Sequence, residues 1–281
     1  MTATLLPPDL PAVALDELVE NAALLTRIDR KYVLHRGEAQ DVLRRLAERC
    51  PGAAPVRTLE IDGRREQQYE SVYFDTPELL SYRMAAHGRR RRFKVRTRSY
   101  VDSRLSFVEV KSRGERGATI KEREPLAEPA DDSLEGTARR FADAALSRAG
   151  QEAPERLALH PVLTVGYHRT TLYLPSTPQH GPGLEGGHEA GVREEPAART
   201  TVDSELVWRT ADGTSLEIPD LVIVETKSGS RPSQVDRLLW RHGHRPARVS
   251  KFGTGMAVLD PRLPANKWSR TIGRLGQIAR R

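Results

Sequence analysis

The stretch GRRRRFKVRTRS, residues 88–99, combines the period of a β-strand with a high density of positive charge. In an extended chain, successive side chains point to opposite faces. One face of this stretch would therefore carry only cations, which are Arg90, Arg92, Lys94, Arg96 and Arg98. Five like charges on one face repel one another unless water or an anionic ligand screens them. The stretch therefore predicts a strand whose charged face binds a polyanion such as a chain of phosphates.

The composition is typical of a globular protein with an anionic partner. The chain has 281 residues and a formal net charge of +7, and its calculated isoelectric point is about 9.7. No apolar run approaches the roughly 20 residues of a membrane span, and the first residues lack the basic region of a secretory signal. Cys50 is the single cysteine, which excludes an intrachain disulfide and a multi-cysteine metal site. A cytoplasmic location is therefore expected.

Short strand patterns outnumber helix patterns along the chain, which argues against a parallel α/β sheet. The predicted fold class is α+β, mainly antiparallel β, with a closed β-barrel tunnel and helices packed outside. The predicted strands are 29–35, 69–74, 88–99, 105–111, 118–123, 162–174, 199–209 and 216–227. The predicted helices are 10–25, 38–49, 78–84, 133–149 and 232–242. The predicted organisation is an N-terminal helical segment (1–26), a tunnel domain (27–260) with a flexible loop (175–198), and a basic C-terminal segment (261–281).

Other predicted strands also place charges on alternate residues. Glu-x-Lys pairs occur at Glu109–Lys111 and at Glu225–Lys227. The simplest interpretation of any one of these strands is a charged face turned to solvent. In a closed barrel, however, the apolar faces can pack outward against helices while the charged faces line a channel. A carboxylate among many cations is then best explained by a bridging divalent metal.

A set of nine different short motifs follows in order along the chain. They are Lys31-Tyr32, Ser71-Val72-Tyr73-Phe74-Asp75-Thr76, Lys94-Val95-Arg96, Phe107-Val108-Glu109-Val110-Lys111, Lys121-Glu122-Arg123, Tyr167-His168-Arg169-Thr170, Arg199 with Asp203-Ser204-Glu205-Leu206, Val224-Glu225-Thr226-Lys227 and Ser250-Lys251-Phe252. In this order they resemble the VTC domain, a polyphosphate polymerase domain of the triphosphate tunnel metalloenzyme (CYTH-like) superfamily. The resemblance extends from about residue 27 to residue 253. Each motif is short, so the specificity lies in their number and order.

The resemblance implies a tunnel that binds ATP and inorganic polyphosphate, and a polymerase that transfers the γ-phosphoryl group of ATP to the growing chain. It implies that the catalytic residues are Lys94, Arg96, Arg169 and Lys251. It implies that phosphate is bound by Lys31, Arg83, Lys94, Arg96, Lys111, Lys121, Tyr167, Arg169, Arg199, Ser250 and Lys251. Arg248 stands where the family has a further basic residue. Glu225 would be the ligand of Mn²⁺ or Mg²⁺.

The chain departs from the hydrolytic branch of the superfamily, which opens with a Glu-x-Glu-x-Lys strand. The corresponding run here is Arg27-Ile28-Asp29-Arg30-Lys31, which lacks the first carboxylate. This difference argues against a specialised triphosphatase. The sequence also predicts no transmembrane segment, and it leaves open whether the protein has membrane-associated partners.

Three other functions remain open. An inorganic tripolyphosphatase or a non-catalytic polyphosphate-binding protein would share the same tunnel. The run of arginines at 89–92 taken alone would suggest a nucleic-acid-binding module. That function is disfavoured because aromatic residues make up only 5% of the chain and because Glu109 and Glu225 would repel a nucleic-acid backbone.

Overall fold

The computed structural model describes residues 5–7, 9–21, 28–48, 55–114, 118–127, 133–179, 193–195 and 197–280. The chain divides into two compact units. The first comprises Met1–Glu66, Arg169–Ser204 and Asp220–Ala247, and the second comprises Gln67–His168, Glu205–Pro219 and Arg248–Arg281.

Strands and helices alternate irregularly along the chain. The strands are β1 (Ala12–Val13), β2 (Ile28–His35), β3 (Arg57–Leu59), β4 (Gln67–Asp75), β5 (Phe93–Tyr100), β6 (Leu105–Arg113), β7 (Thr119–Pro125), β8 (His160–Leu174), β9 (Thr177–Gln179), β10 (Arg193–Glu195), β11 (Ala198–Thr210), β12 (Ser215–Glu217) and β13 (Leu221–Ser228). The α-helices are α1 (Leu15–Asn21), α2 (Arg36–Glu48), α3 (Leu80–Ala86), α4 (Gly136–Arg148), α5 (Gln234–Arg241), α6 (Lys251–Leu259) and α7 (Ser269–Ile278). Short 3₁₀ helices span Pro154–Arg156 and Asn266–Trp268. No helix among the described residues is long and apolar enough to cross a membrane.

The sheet of the first unit has the hydrogen-bonded strand order β2-β13-β11-β8, with β3 beside β8 and β1 beside β3. Strand β13 pairs in antiparallel fashion with both β2 and β11. One face of these strands is apolar and packs in a single core with helices α2 and α5. The core includes Tyr32, Leu34, Val202, Val222 and Val224 from the strands, and Val42, Leu43, Leu46, Val235, Leu238 and Leu239 from the helices. Burial of this face stabilises the strands and leaves the other face for polar side chains.

The second unit repeats this arrangement with the antiparallel order β4-β5-β6-β7. Its apolar strand face packs against α4. The core includes Val72, Phe74, Phe93, Val95, Val108 and Val110 from the strands, and Ala142, Ala145 and Leu146 from the helix. In each unit, therefore, the helices cover the apolar strand face, as the sequence predicts.

The α+β class and the antiparallel pairing are confirmed, but the closed barrel is not. Among the described residues, the strand order of each unit has two ends, and no hydrogen bonds close either set of strands into a barrel. The predicted loop at 175–198 contains the paired strands β9 and β10, and its residues 180–192 and 196 lie outside the described residues. Cys50 and Arg27 also lie outside them.

The arginine-rich strand begins later than the sequence predicts. Strand β5 begins only at Phe93, so Arg90 and Arg92 belong to the preceding turn. The cause is the end of α3, where Gly88 has a φ of +66°. The amide of Arg89 donates to the carbonyl of Met84 at 2.8 Å, and that of Gly88 donates to the carbonyl of Ala85 at 3.2 Å. This pattern is a Schellman motif, in which glycine adopts the left-handed conformation at low cost.

Other elements also differ from prediction. Within the predicted helix 10–25, Ala12–Val13 form strand β1, and helix α1 spans only Leu15–Asn21. The predicted strand 216–227 is divided into β12 and β13, and helix α6 was not predicted. Gly253 and Gly255 disfavour a helix in sequence terms. In the structure, a Cβ atom at Gly253 would lie 2.3 Å from the ring of Trp268, and one at Gly255 would lie 2.2 Å from the ring of Trp208. The two glycines therefore permit tryptophan rings to pack directly on the helix, a long-range cause that no local pattern reveals.

Candidate functional site

The polar face of the first unit is built by strand register. On the β11-β13-β2 ladder, Thr201 lies opposite Glu225, which lies opposite Lys31. The next row on the same face places Arg199 opposite Lys227. Directly opposite side chains share a face with Cβ atoms about 5 Å apart. Three strands thus bring together residues that are far apart in sequence.

Glu225 is the centre of this face. Its Oε2 lies 2.7 Å from Nζ of Lys31, and its Oε1 lies 3.5 Å from Nζ of Lys227. Burial alone would raise the pKa of Glu225, but the charges of Lys31, Lys227 and Arg169 outweigh burial and hold it well below its usual range. Burial lowers the pKa of Lys227 to about 8, although Glu225 opposes this shift. Glu225 is therefore ionised at neutral pH.

Arg169 is held on the same polar face by a second carboxylate. Its Nε donates to Oδ1 of Asp203 at 2.6 Å, and its Nη2 donates to Oδ2 at 2.8 Å. This bidentate geometry fixes the orientation of the guanidinium plane. Asp203 is fully buried, and the side chain of Arg169 is 13% exposed. Asp203 therefore orients a cation that the sequence analysis assigns to phosphate.

A buried hydrogen-bond network supports these strands from the opposite face. Asp236, at the start of α5, accepts hydrogen bonds from Tyr32 Oη and from Thr226 Oγ1, both at 2.6 Å. Its other oxygen accepts from the amide and hydroxyl of Ser233 at 2.7 and 2.8 Å. Tyr32 follows Lys31, and Thr226 lies between Glu225 and Lys227 in sequence. Asp236 therefore ties α5 to the two strands that carry the central charges.

The polar face of the second unit carries a row of lysines. The register places Lys94 opposite Lys111, and Lys111 opposite Lys121. The adjoining row places Arg96 opposite Glu109. Like charges directly opposite one another destabilise a sheet. The lysine row is therefore an arrangement that a polyanion would stabilise.

Glu109 balances part of this charge. Its Oε2 accepts from Nε of Arg96 at 2.8 Å and also from Nη2 of Arg96, and its Oε1 lies 2.5 Å from Nζ of Lys121. Arg96 also donates to Oη of Tyr73 at 3.0 Å. Burial alone would raise the pKa of Glu109, but Arg96, Arg98 and Lys121 outweigh burial and hold it below its usual range. Burial lowers the pKa of Lys121, and Glu109 offsets this only in part.

Aromatic rings position two further cations in the second unit. Nζ of Lys251 lies 4.3 Å from the ring centre of Tyr167. The guanidinium of Arg98 lies 5.6 Å from the ring centre of Tyr69 and 5.9 Å from that of Tyr167. The rings of Tyr69 and Tyr167 are themselves stacked at 5.3 Å. The electron-rich ring faces attract the cations and limit the directions in which they point.

Ser250 has two structural roles. Its hydroxyl accepts a hydrogen bond from the amide of Gly253 at 3.1 Å and so caps helix α6. The same hydroxyl accepts from Nζ of Lys94 at 2.8 Å. Lys251 follows as the first residue of the helix. The cap therefore connects the lysine row to the start of α6.

The structure thus groups most of the predicted phosphate-binding residues. In the first unit, Lys31, Arg169 and Arg199 share a polar face with Glu225; in the second, Lys94, Arg96, Lys111, Lys121, Tyr167, Ser250 and Lys251 lie on or beside one polar face. Arg83 is not on either strand face, because it lies exposed on α3 and donates to the carbonyl of Glu78 at 2.8 Å. Arg248 is exposed ahead of α6.

The structure adds residues that the site prediction omitted. Arg98 and Lys227 follow Arg96 and Glu225 at an interval of two, so strand periodicity was a sufficient signal for both. No local pattern identifies the role of Asp203, because its pairing with Arg169 bridges 34 positions. Within the Asp236 network only the Ser233-x-x-Asp236 capping box has a local sequence signal, since the bond to Tyr32 joins residues 204 positions apart.

Together these features define a class of protein. It is an α+β protein whose antiparallel strands present crowded Arg and Lys side chains, with few carboxylates, on the face away from the helices. Such a face can bind and neutralise condensed phosphate. A comparison with models of protein families matches residues 26–260 to the VTC domain. The chain therefore belongs to the VTC domain family, which confirms the resemblance and supports a polyphosphate-related, phosphoryl-transfer function.

Individual proteins offer much weaker likenesses. No curated protein compared with the chain matches it. Among solved structures, a conserved hypothetical protein from Pyrococcus furiosus is 14% identical with a TM-score of 0.34, covering 78% of this chain and 88% of that chain. A Pyrococcus horikoshii protein is 11% identical with a TM-score of 0.34 and the same coverage of 78% and 88%. The putative adenylyl cyclase HpAC1 from Hippeastrum, described as having a dominant triphosphatase activity, is 14% identical with a TM-score of 0.41, covering 86% and 100%. Scores this low carry no argument about this chain.

Proposed function

We propose that the protein is an ATP-dependent polyphosphate polymerase, which transfers the γ-phosphoryl group of ATP to a growing inorganic polyphosphate chain. The observation that carries this proposal is the segregation of charge on the strands. In both units, cations crowd one strand face while the apolar face packs on helices. The match to the VTC domain then favours condensed phosphate over other anions.

The proposed reaction needs positioning and charge neutralisation more than acid–base catalysis. The bond between the γ-phosphorus of ATP and the β–γ bridging oxygen breaks, and its electron pair remains on the departing ADP. A terminal oxygen of the polyphosphate chain forms the new bond to the same phosphorus. Because that terminal phosphate is already ionised near neutral pH, no strong general base is required.

The cations then have separable roles in this proposal. In the second unit Glu109 orients Arg96, and in the first unit Asp203 orients Arg169, so each guanidinium group is preorganised to bind phosphate oxygens on its own strand face. Lys94 and Lys251 supply compact charges beside the start of α6.

A divalent metal fits the residues around Glu225. The Glu225 carboxylate is ionised at neutral pH, and magnesium and manganese accept carboxylate and phosphate oxygens. Thr201, directly opposite Glu225, has a buried hydroxyl without a hydrogen-bond partner among the described residues. Glu225 would hold the ion, with the Thr201 hydroxyl available as a further oxygen. When bound, Mg²⁺ or Mn²⁺ would neutralise charge on phosphate oxygens.

The test is to incubate the purified chain with ATP and Mn²⁺, and separately with ATP and Mg²⁺. Long acid-labile phosphate chains together with ADP are expected. Free orthophosphate alone would replace the proposal with a hydrolase, and polyphosphate binding without turnover would replace it with a non-catalytic binder. Salt-sensitive binding of DNA without turnover would indicate a nucleic-acid-binding module.

The metal assignment is tested with Glu225→Gln, which keeps the side-chain shape and removes the charge. We expect loss of metal-dependent turnover with the folded structure retained. Glu217→Gln is the matched control, because Glu217 is an exposed residue of the short strand β12. Full activity in Glu225→Gln would overturn the assignment of Glu225 as the metal ligand.

A further inference from the structure

A second group of cations lies at one end of the β5–β6 pair. Arg113 is the last residue of β6 and lies two residues beyond Lys111, on the same strand face. Residues two apart on a strand are separated by about 7 Å. Arg92 immediately precedes β5, whose first residue, Phe93, lies opposite Ser112. Arg92 and Arg113 therefore lie beside the lysine row, at the end of the β5–β6 pair.

The C-terminal segment adds two cations to this group. Nζ of Lys267 donates to the carbonyl of Ala85, at the end of α3, at 2.8 Å. The carbonyl of Arg248 accepts from Oγ1 of Thr271 on α7 at 2.8 Å. Burial lowers the pKa of Lys267, and the positive charges of Arg92, Arg248 and Arg113 lower it further. We call Arg92, Arg113, Arg248 and Lys267 the end cluster.

The end cluster has no counter-charge in the part of the chain that the structure describes. The side chain of Arg92 donates to the carbonyl of Arg89 at 2.8 Å, and Lys267 donates to a carbonyl as well. None of its four members forms an ion pair with a described carboxylate. Arg92, Arg113 and Lys267 are nevertheless half-buried. Half-buried like charges without carboxylates are costly unless an anion neutralises them.

We propose that the end cluster is a binding subsite for linear polyphosphate, occupied by the part of the chain that extends beyond the Lys94, Lys111 and Lys121 row. The proposal rests on the proposed function for its ligand class. It assigns Arg92, Arg113 and Lys267 to the recognition of chain length, because a short phosphate that fills the lysine row does not reach them. Affinity for long chains then exceeds affinity for short ones.

Two observations favour a linear polyphosphate chain, and not a membrane or a nucleic-acid duplex, as the ligand of the end cluster. Three members of the cluster are half-buried, so a thin ligand reaches them more readily than a membrane or a duplex. On α7, Leu275 and Ile278 are buried and Ile272 is half-buried, and no exposed large apolar residue among the described ones lies between 248 and 280. A membrane-binding helix would instead present an apolar face to the lipid.

The test compares the affinities of the full chain for tripolyphosphate and for long-chain polyphosphate by calorimetry. The double variant Arg113→Gln/Lys267→Gln is compared with the control Arg104→Gln/Arg270→Gln, which removes the same charge from exposed positions. We expect the cluster variant to lose affinity for long chains by about tenfold or more while its affinity for tripolyphosphate changes less than about twofold. The control should match the parent protein. The single variant Arg113→Gln guards against misfolding of the double variant, because this side chain forms no hydrogen bond or ion pair with the residues that the structure describes, and it should lose part of the same affinity.

The outcomes separate this inference from the proposed function. An unchanged long-chain affinity, or an equal loss for both ligands, would overturn the subsite. The subsite would also be overturned if anionic vesicles or DNA bound to the end cluster and polyphosphate did not. If the parent protein bound long chains through the cluster but made no polyphosphate from ATP, the subsite would stand and the polymerase would fail.

Discussion

Replacing Glu109 with glutamine removes the carboxylate shared by Arg96 and Lys121 without changing the side-chain shape. Glu109 is 1% exposed and Arg96 is 8% exposed. Coulomb's law with an effective dielectric constant of about 20 gives about 4 kcal/mol for unit charges about 4 Å apart. Removing one partner of a buried pair typically costs about 3–5 kcal/mol, because the other charge stays buried and uncompensated. We therefore expect the free energy of unfolding to fall by about 3–5 kcal/mol in Glu109→Gln.

Urea unfolding followed by circular dichroism measures this change. The matched control is Glu122→Gln on β7, whose partner Arg148 has a side chain that is 56% exposed. An exposed pair of this kind contributes at most about 1 kcal/mol. Adding Arg96→Met to Glu109→Gln should recover part of the loss, since the buried cation is then removed as well. If Glu109→Gln is no more destabilising than the control, the interpretation of Arg96 and Glu109 as a buried structural pair is wrong.

The same variant has a defined pH signature. The pKa of Glu109 in the folded protein lies below its ordinary value, so its contribution is present above the unfolded-state pKa of about 4.3. That contribution is lost as the pH falls through the lower folded-state pKa. The difference in unfolding free energy between the parent protein and Glu109→Gln should therefore shrink as the pH falls below about 4. A difference that stays constant down to acid pH would show that the carboxylate charge is not responsible.

Three further changes test other parts of the structure. Arg96→Ala should weaken ATP binding by about 1.5–3 kcal/mol, measured by calorimetry, and an unchanged affinity would remove Arg96 from the phosphate site. Asp236→Ala should lower the free energy of unfolding by about 2–4 kcal/mol, because it leaves the hydroxyl of Tyr32 and neighbouring donors buried without their acceptor; thermal unfolding with no loss would refute the network's role. Gly255→Ala should destabilise the protein by at least about 1–3 kcal/mol through its clash with Trp208, and a neutral effect in chemical unfolding would contradict the close packing.

The sequence predicts the charged strand faces well because strand alternation is a local property. Once β5 is extended, Lys94, Arg96 and Arg98 must share a face, and the apolar alternate residues must turn to α4. Arg90 and Arg92 lie outside the strand, because the Schellman motif at Gly88 determines where the strand begins. A strand period cannot reveal a boundary that a neighbouring turn imposes.

The remaining features depend on contacts between distant residues. Helix α6 forms across two glycines because Trp208 and Trp268 occupy the space above them. The placement of Lys251 over Tyr167 likewise joins residues that no local pattern connects. Neither the register that places Thr201 opposite Glu225 nor the pairing of Arg169 with Asp203 can be obtained from composition or periodicity alone.

The row formed by Lys94, Lys111 and Lys121 has a consequence for handling the protein. Mutual repulsion in this row raises the energy of the ligand-free form, so anions that occupy it stabilise the folded state by mass action. An anion at one hundred times its dissociation constant adds about 2.7 kcal/mol. The melting temperature should therefore rise along a buffer series from chloride through orthophosphate to pyrophosphate and tripolyphosphate. A fluorescence thermal-shift screen would rank anions by their fit and identify buffers suited to storage and crystallisation.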